Sequence, residues 1–203
     1  MKVKICGITN VNDAKLSTEL GADMLGFIFY PKSKRYISAV TCKTIIDEIR
    51  GEVKTVGVFV NESHEVINNI IKLTNIDIVQ LHGNESAAEI KNIDAEIIKS
   101  FRVSDDFNFS LIDDFRNYQI LLDSSDVNNY GGTGKSFNWN LIPIKLRDRI
   151  ILAGGVSSEN IEFIYKSISP FGVDLSSSLE ILPGQKDPNK LRDFFSIIKK
   201  LKE

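Results

Sequence analysis

The chain has 203 residues, 42% hydrophobic and 26% charged, with a net charge of -2 and an isoelectric point near 5.8. These values suit a globular chain long enough for a full core. They leave no excess of Lys and Arg for nucleic-acid phosphates, so nucleic acid is not expected as a partner. Nor is a membrane, because the longest apolar run, Met24–Tyr30 broken by Gly26, is far too short to span one.

Strand-like alternation starts at once in Met1-Lys2-Val3-Lys4-Ile5, with no apolar leader. Two cysteines, Cys6 and Cys42, form neither a disulfide framework nor a zinc spacing, which points to a reduced, cytoplasmic protein. With only His64 and His82 as imidazole ligands, no metal is expected.

In chain order, Val3–Cys6 reads as strand one and Asn12–Leu20 as a helix stopped by Gly21. Met24–Phe29 is strand two, followed by a basic loop, Pro31–Tyr36, and a helix capped by Ser38 that runs to about Arg50. Lys54–Val60 is strand three, and Ser63 caps a helix to about Leu73. Ile76–Leu81 is strand four, with a short helix over Ser86–Asn92. Glu96–Val103 is strand five, and a helix runs from Asp105 or Asp106 to Arg116. Gln119–Asp123 is strand six, leading into a long polar loop over Ser124–Asn138 and a helix around Asn140–Leu146. Ile150–Ala153 is strand seven, then Gly154-Gly155 and a helix capped at Ser157 or Ser158 that extends to about Ser167. Gly172–Leu175 is strand eight, and Asn189–Leu201 a closing helix.

Eight strand–helix alternations imply a parallel sheet. The first turn, Cys6-Gly7-Ile8-Thr9, lacks a dinucleotide fingerprint, so the expected fold is a single (βα)8 TIM barrel over residues 1–203, of the α/β class. In such a barrel the working residues sit at the C-terminal strand ends. Those ends carry Cys6, Arg35, Asn61, His82, Arg102, Asp123, Gly154 with Gly155, and Asp174 with Ser176 and Ser177. The loops after strands seven and eight are the usual phosphate site of the barrel, and paired glycines beside small hydroxyls suit that ligand.

Across the same mouth, a thiol at Cys6 and a carboxyl at Asp123 form an acid/base pair of the kind a proton-transfer isomerase needs. Taken singly, Cys6 reads better as a packed thiol, and Asp123 reads also as a helix or loop cap. Arg35 reads as anion recognition or as a solvated charge, and His82 as a residue that orients its neighbours. Gly131–Lys135 lacks the spacing of a P-loop and reads as a lid that contacts substrate through Gly132, Thr133 and Gly134. Cys42 reads as core packing, and Trp139 as an anchor for the loop end.

KICGIT (4–9), GFIFYPKSKRYIS (26–38), VGVFVN (56–61), VQLHG (79–83), LLDS (121–124), GGTGKSFNW (131–139), LAGGVSSENI (152–161), VDLSSSLE (173–180) and PGQKD (183–187) occur in this order. Together they resemble phosphoribosylanthranilate isomerases of tryptophan biosynthesis over essentially the whole chain. The resemblance implies a (βα)8 enzyme without metal or organic cofactor, acting on a phosphorylated aminosugar as a monomer or homodimer. The implied reaction is an Amadori rearrangement of N-(5-phosphoribosyl)anthranilate to 1-(2-carboxyphenylamino)-1-deoxyribulose 5-phosphate. The implied acid is Asp123 and the implied base Cys6. Arg35 is implied to meet the anthranilate carboxylate, and Gly154, Gly155 and the Asp174–Ser177 stretch to hold the phosphate. Ser178 departs from the family's usual glycine, and a serine there carries a cost if the position needs positive φ.

Two other readings compete. Related phosphosugar barrels lean on lysines or metal-binding histidines at the strand ends, positions where this chain has neither. A non-catalytic phosphate-binding barrel has no need of Cys6 or Asp123.

Overall fold

The computed structural model describes residues 1–49, 51–124 and 137–203. Eight parallel strands close into a barrel: β1 (Lys2–Cys6), β2 (Met24–Ile28), β3 (Lys54–Phe59), β4 (Ile78–Leu81), β5 (Glu96–Arg102), β6 (Gln119–Asp123), β7 (Ile150–Ala153) and β8 (Gly172–Leu175). Closure is made by β1 against β8, with Lys2 opposite Gly172 and Ile5 opposite Leu175. A short antiparallel hairpin, β9 (Glu180–Leu182) and β10 (Gln185–Lys186), follows β8.

Side chains alternate across the sheet. One set packs outward into a continuous apolar layer that includes Val3, Ile5, Leu25, Phe27, Val79, Leu81, Ile120, Leu122, Leu152 and Val173. The other set faces inward, where Met24, Val56, Ile78, Ile98, Leu121, Ile151 and Ala153 make a separate buried cluster. That cluster takes residues from β2 through β7 and floors the barrel. Fully burying a side chain of this size contributes about 1.5–3 kcal/mol. Above this floor lie the inward residues of the strand ends.

The helices cover the outer layer where the sequence has the caps to start them. Asn10, Ser38 and Ser63 accept hydrogen bonds from the amides of Asp13, Thr41 and Val66, opening α1 (Val11–Glu19), α2 (Ala39–Glu48) and α3 (His64–Thr74). Gly21, at φ 101°, ends the first in a conformation that costs glycine little. Asp187 caps α5 (Pro188–Lys202), which buries Leu191, Phe194, Phe195 and Ile198 on one stripe.

In the second half of the barrel the helices are shorter than the sequence pattern suggests. Glu89–Asn92 and Phe109–Phe115 are 3-10 turns, and Pro143 divides Trp139–Leu141 from Ile144–Arg149, both also 3-10. After β7, α4 (Ile161–Phe163) makes one turn before the chain widens into a π-helical segment, Ile164–Ile168. No helix among the described residues is long and apolar enough to cross a membrane.

Candidate active site

A cavity of about 400 Å³ opens at the C-terminal end of the barrel. Cys6, Arg35, His82, Asp123, Gly154, Gly155, Asp174, Ser176 and Ser177 all line it, so the fold gathers these nine expected residues at one place. Gly132, Thr133 and Gly134, with the rest of the expected lid, lie outside the described residues.

Asp123 ends β6 and belongs to a chain of side chains. Gln80 Nε2 lies 3.0 Å from His82 Nδ1, and His82 Nε2 lies 3.2 Å from Asp123 Oδ2. An amide nitrogen only donates, so Nδ1 accepts from Gln80 and Nε2 carries the proton donated to Asp123. His82 is thus hydrogen-bonded to the Asp123 carboxyl on one side and to Gln80 on the other. Its own loop is tied down by Lys99, which donates to the Gly83 carbonyl at 2.8 Å and to Glu85 Oε2 at 2.7 Å. Opposite, a Cβ on Gly154 would come within 2.7 Å of Asp123 Oδ1 and strike Ser124. With φ at 74° as well, the position is held to glycine.

Gly155 has φ 75° next to it, so two successive left-handed residues curve the backbone behind the cavity. The following helix differs from expectation. It starts at Ile161, with neither Ser157 nor Ser158 as its cap; instead the Asn160 side chain folds back, accepting from Ser157 N at 2.9 Å and donating to the Gly155 carbonyl at 2.7 Å. With so short a helix behind it, the glycine turn is the part of this segment that lines the cavity. Facing it, Ser177–Leu179 form a 3-10 turn, and Ser178 is not among the residues with positive φ. The serine that departs from the family's usual glycine is thus accommodated without backbone strain. Asp174 Oδ1 and Ser176 Oγ are buried without a partner among the described residues, so both retain hydrogen-bonding capacity for a ligand in the cavity they line.

Arg35 reaches the site over Gly7, where a Cβ would stand 2.6 Å from Arg35 Cδ. Its guanidinium is held by Glu180: Nε donates to Oε1 at 2.8 Å and Nη2 to Oε2 at 2.6 Å, leaving Nη1 outside the pair. Lys186 Nζ donates to the same carboxylate at 3.0 Å and to the Cys6 carbonyl at 2.6 Å. Burial raises the Glu180 carboxyl, but Arg35 and Lys186 outweigh it and hold it below the ordinary range.

Glu180, Lys186, Gln80 and Lys4 were not singled out from the sequence. Lys4 had a readable signal: it shares the inward face of β1 with Cys6, and a lysine on a buried strand face needs a partner inside.

The family model of N-(5'-phosphoribosyl)anthranilate (PRA) isomerase matches residues 3–197. The chain belongs to that family. The N-(5'-phosphoribosyl)anthranilate isomerase of Pelobacter propionicus is 40% identical over 200 residues, covering 98% of this chain and 96% of its own. The crystal structure of the isomerase from Thermotoga maritima superposes with a TM-score of 0.91 at 41% identity, covering 98% of this chain and 99% of that one. A further isomerase structure, at TM-score 0.88 and 39% identity with 98% and 99% coverage, is a complex with reduced 1-(o-carboxyphenylamino)-1-deoxyribulose 5-phosphate.

In this setting Glu180 is the residue that seats Arg35. Glu180→Gln keeps the shape but weakens a charge-assisted pair, and KM is expected to rise roughly tenfold with kcat changed less. Steady-state kinetics checks this; an unchanged KM means that other contacts seat Arg35.

Proposed function

We propose that this isomerase rearranges N-(5-phosphoribosyl)anthranilate with Asp123 as general acid and Cys6 as general base. The observation that carries the assignment is that both groups line one cavity, above an apolar floor and beside a glycine turn suited to phosphate. Asp123, oriented by His82, gives its proton to the ribose ring oxygen. The C1–O bond then breaks, and the nitrogen lone pair completes an iminium. The Cys6 thiolate takes the proton from C2, leaving an enolamine that tautomerises to the ketone. The substrate takes one proton and gives one, so it isomerises without net change, and return of the proton from the Cys6 thiol to the Asp123 carboxylate through solvent resets the pair.

Binding follows the same map. Arg35 meets the anthranilate carboxylate with the guanidinium edge that Glu180 leaves over. Gly154, Gly155, Ser176 and Ser177 surround the phosphate, while Asp174 stands close to the sugar. Gly132, Thr133 and Gly134 close over the ligand. We further propose a cytoplasmic enzyme, with the chain acting as one catalytic unit. Both monomer and homodimer are open to it, since the Thermotoga maritima relative is a dimer from which monomers have been generated.

The direct test is loss of anthranilate fluorescence from substrate generated in situ. Rapid consumption by the wild-type chain, with formation of the ketose product, is expected. No consumption, together with tight binding of the reduced product analogue, would reduce the protein to a binding barrel.

A further inference from the structure

Lys4 is fully buried inside the barrel, one turn of the pleat below Cys6 on the same inward face of β1. Its Nζ donates to Asp174 Oδ2 at 2.9 Å. Gly26, on the neighbouring strand, shows what else it touches. A Cβ placed there would stand 2.8 Å from Cys6 Sγ and 3.0 Å from Lys4 Nζ, so sulfur and ammonium converge on one point. A charge in this position is expensive. The floor just below is wholly apolar, and an ion pair taken out of water commonly contributes less than well-packed hydrophobic side chains of the same volume. Packing therefore does not account for a lysine here, whereas the adjoining thiol does.

We propose that Lys4 is the positioning residue that makes Cys6 a base, its ammonium bridging the Asp174 carboxylate and the Cys6 sulfur and neutralising the charge the sulfur bears before it takes the substrate proton. The proposal rests on Cys6 being the base, and its test is independent of turnover. Other charged groups also bear on Cys6: Arg35 from the segment after β2, Lys186 from β10, and Asp174 from β8, itself under the influence of Asp123 and His82. Burial of the thiol raises its pKa, Lys4 is the largest opposing influence, and Asp174 adds to the rise. The two members of the ion pair thus push Cys6 in opposite directions.

That opposition gives the experiment. The rate of Cys6 alkylation by iodoacetamide is measured against pH, with the modified peptide identified by mass. Cys42 stays silent because burial pushes its thiol up to about 12. In Lys4→Met/Asp174→Asn, which removes both buried charges together and leaves no orphan, the alkylation midpoint moves up, by roughly one pH unit for loss of an opposite charge at contact distance. In Asp174→Asn alone it moves down. The acid limb of kcat/KM follows in the same directions. Midpoints that stay put in both folded variants, or that move the same way, overturn the role of Lys4. Undiminished turnover in Cys6→Ser overturns the base assignment instead, and the two failures are separable.

Discussion

Asparagine at position 123 is expected to lower kcat by roughly 10²- to 10⁴-fold, the range for loss of a general acid. The substitution is nearly isosteric, and the amide oxygen still accepts the hydrogen bond that His82 Nε2 gives to the carboxylate at 3.2 Å. Only the transferable proton is removed. Without it the ring oxygen leaves as an alkoxide, and iminium formation stalls before Cys6 has a proton to take. Binding of the reduced product analogue is expected to change little, because the phosphate turn and Arg35 are untouched. The decisive comparison is kcat against analogue affinity. Near-normal turnover would remove Asp123 as the acid; equal losses in both would make it a binding group.

Cys6→Ser is expected to lower kcat by a similar factor, roughly 10²- to 10⁴-fold, for a different reason. A hydroxyl fits where the thiol stood, but it ionises far less readily and cannot act as the base near neutral pH. The wild-type pH profile carries the same signature. Burial holds the Cys6 thiol above its ordinary value, with Lys4 and Lys186 pulling it back down. Asp123 must hold its proton to act and a base with a raised pKa is protonated below that value, so kcat/KM is expected to fall in alkali as the acid ionises and to fall along an acid limb as the thiolate is lost. The serine variant loses that limb. A wild-type profile without an acid limb, measured where chemistry limits the rate, would remove the thiol from the mechanism.

The barrel itself was legible because its strands are short apolar runs with clear breaks, and all eight lie close to where alternation places them. Helices were most legible where a cap and an apolar stripe coincide, as at Ser38 and Ser63. Between β5 and β6 the chain instead follows its aromatic residues. Phe101 meets Phe107 and Phe115 edge-on, and Phe107 meets Phe109, which favours a 3-10 turn over the regular helix that the charged residues suggest. At Ile144 the preceding Pro143 interrupts what the composition reads as one helix.

The site divides the same way. Cys6, Asp123, Arg35 and His82 are visible because each ends or follows a strand. Glu180, Lys186 and Lys4 are not, because their importance lies in pairings across the barrel, between residues as far apart as 35 and 180 or 4 and 174. Those partners follow from closure and register, which no local pattern encodes.

Closure of β1 on β8 has a consequence for synthesis. Acid and base are both translated once residue 123 has been added, but the strand beside Cys6, the carboxylate that seats Arg35 and the lysine on the Cys6 carbonyl come from residues 172–186. A nascent chain halted after β7 would hold Cys6 and Asp123 but lack the strand that closes the barrel beside Cys6. It would also present β1 as an unpaired edge to its neighbours on the polysome, the kind of edge from which strands mispair. Closure of the barrel therefore waits on its last strand, and until that strand is made the β8-facing edge of β1 stays open.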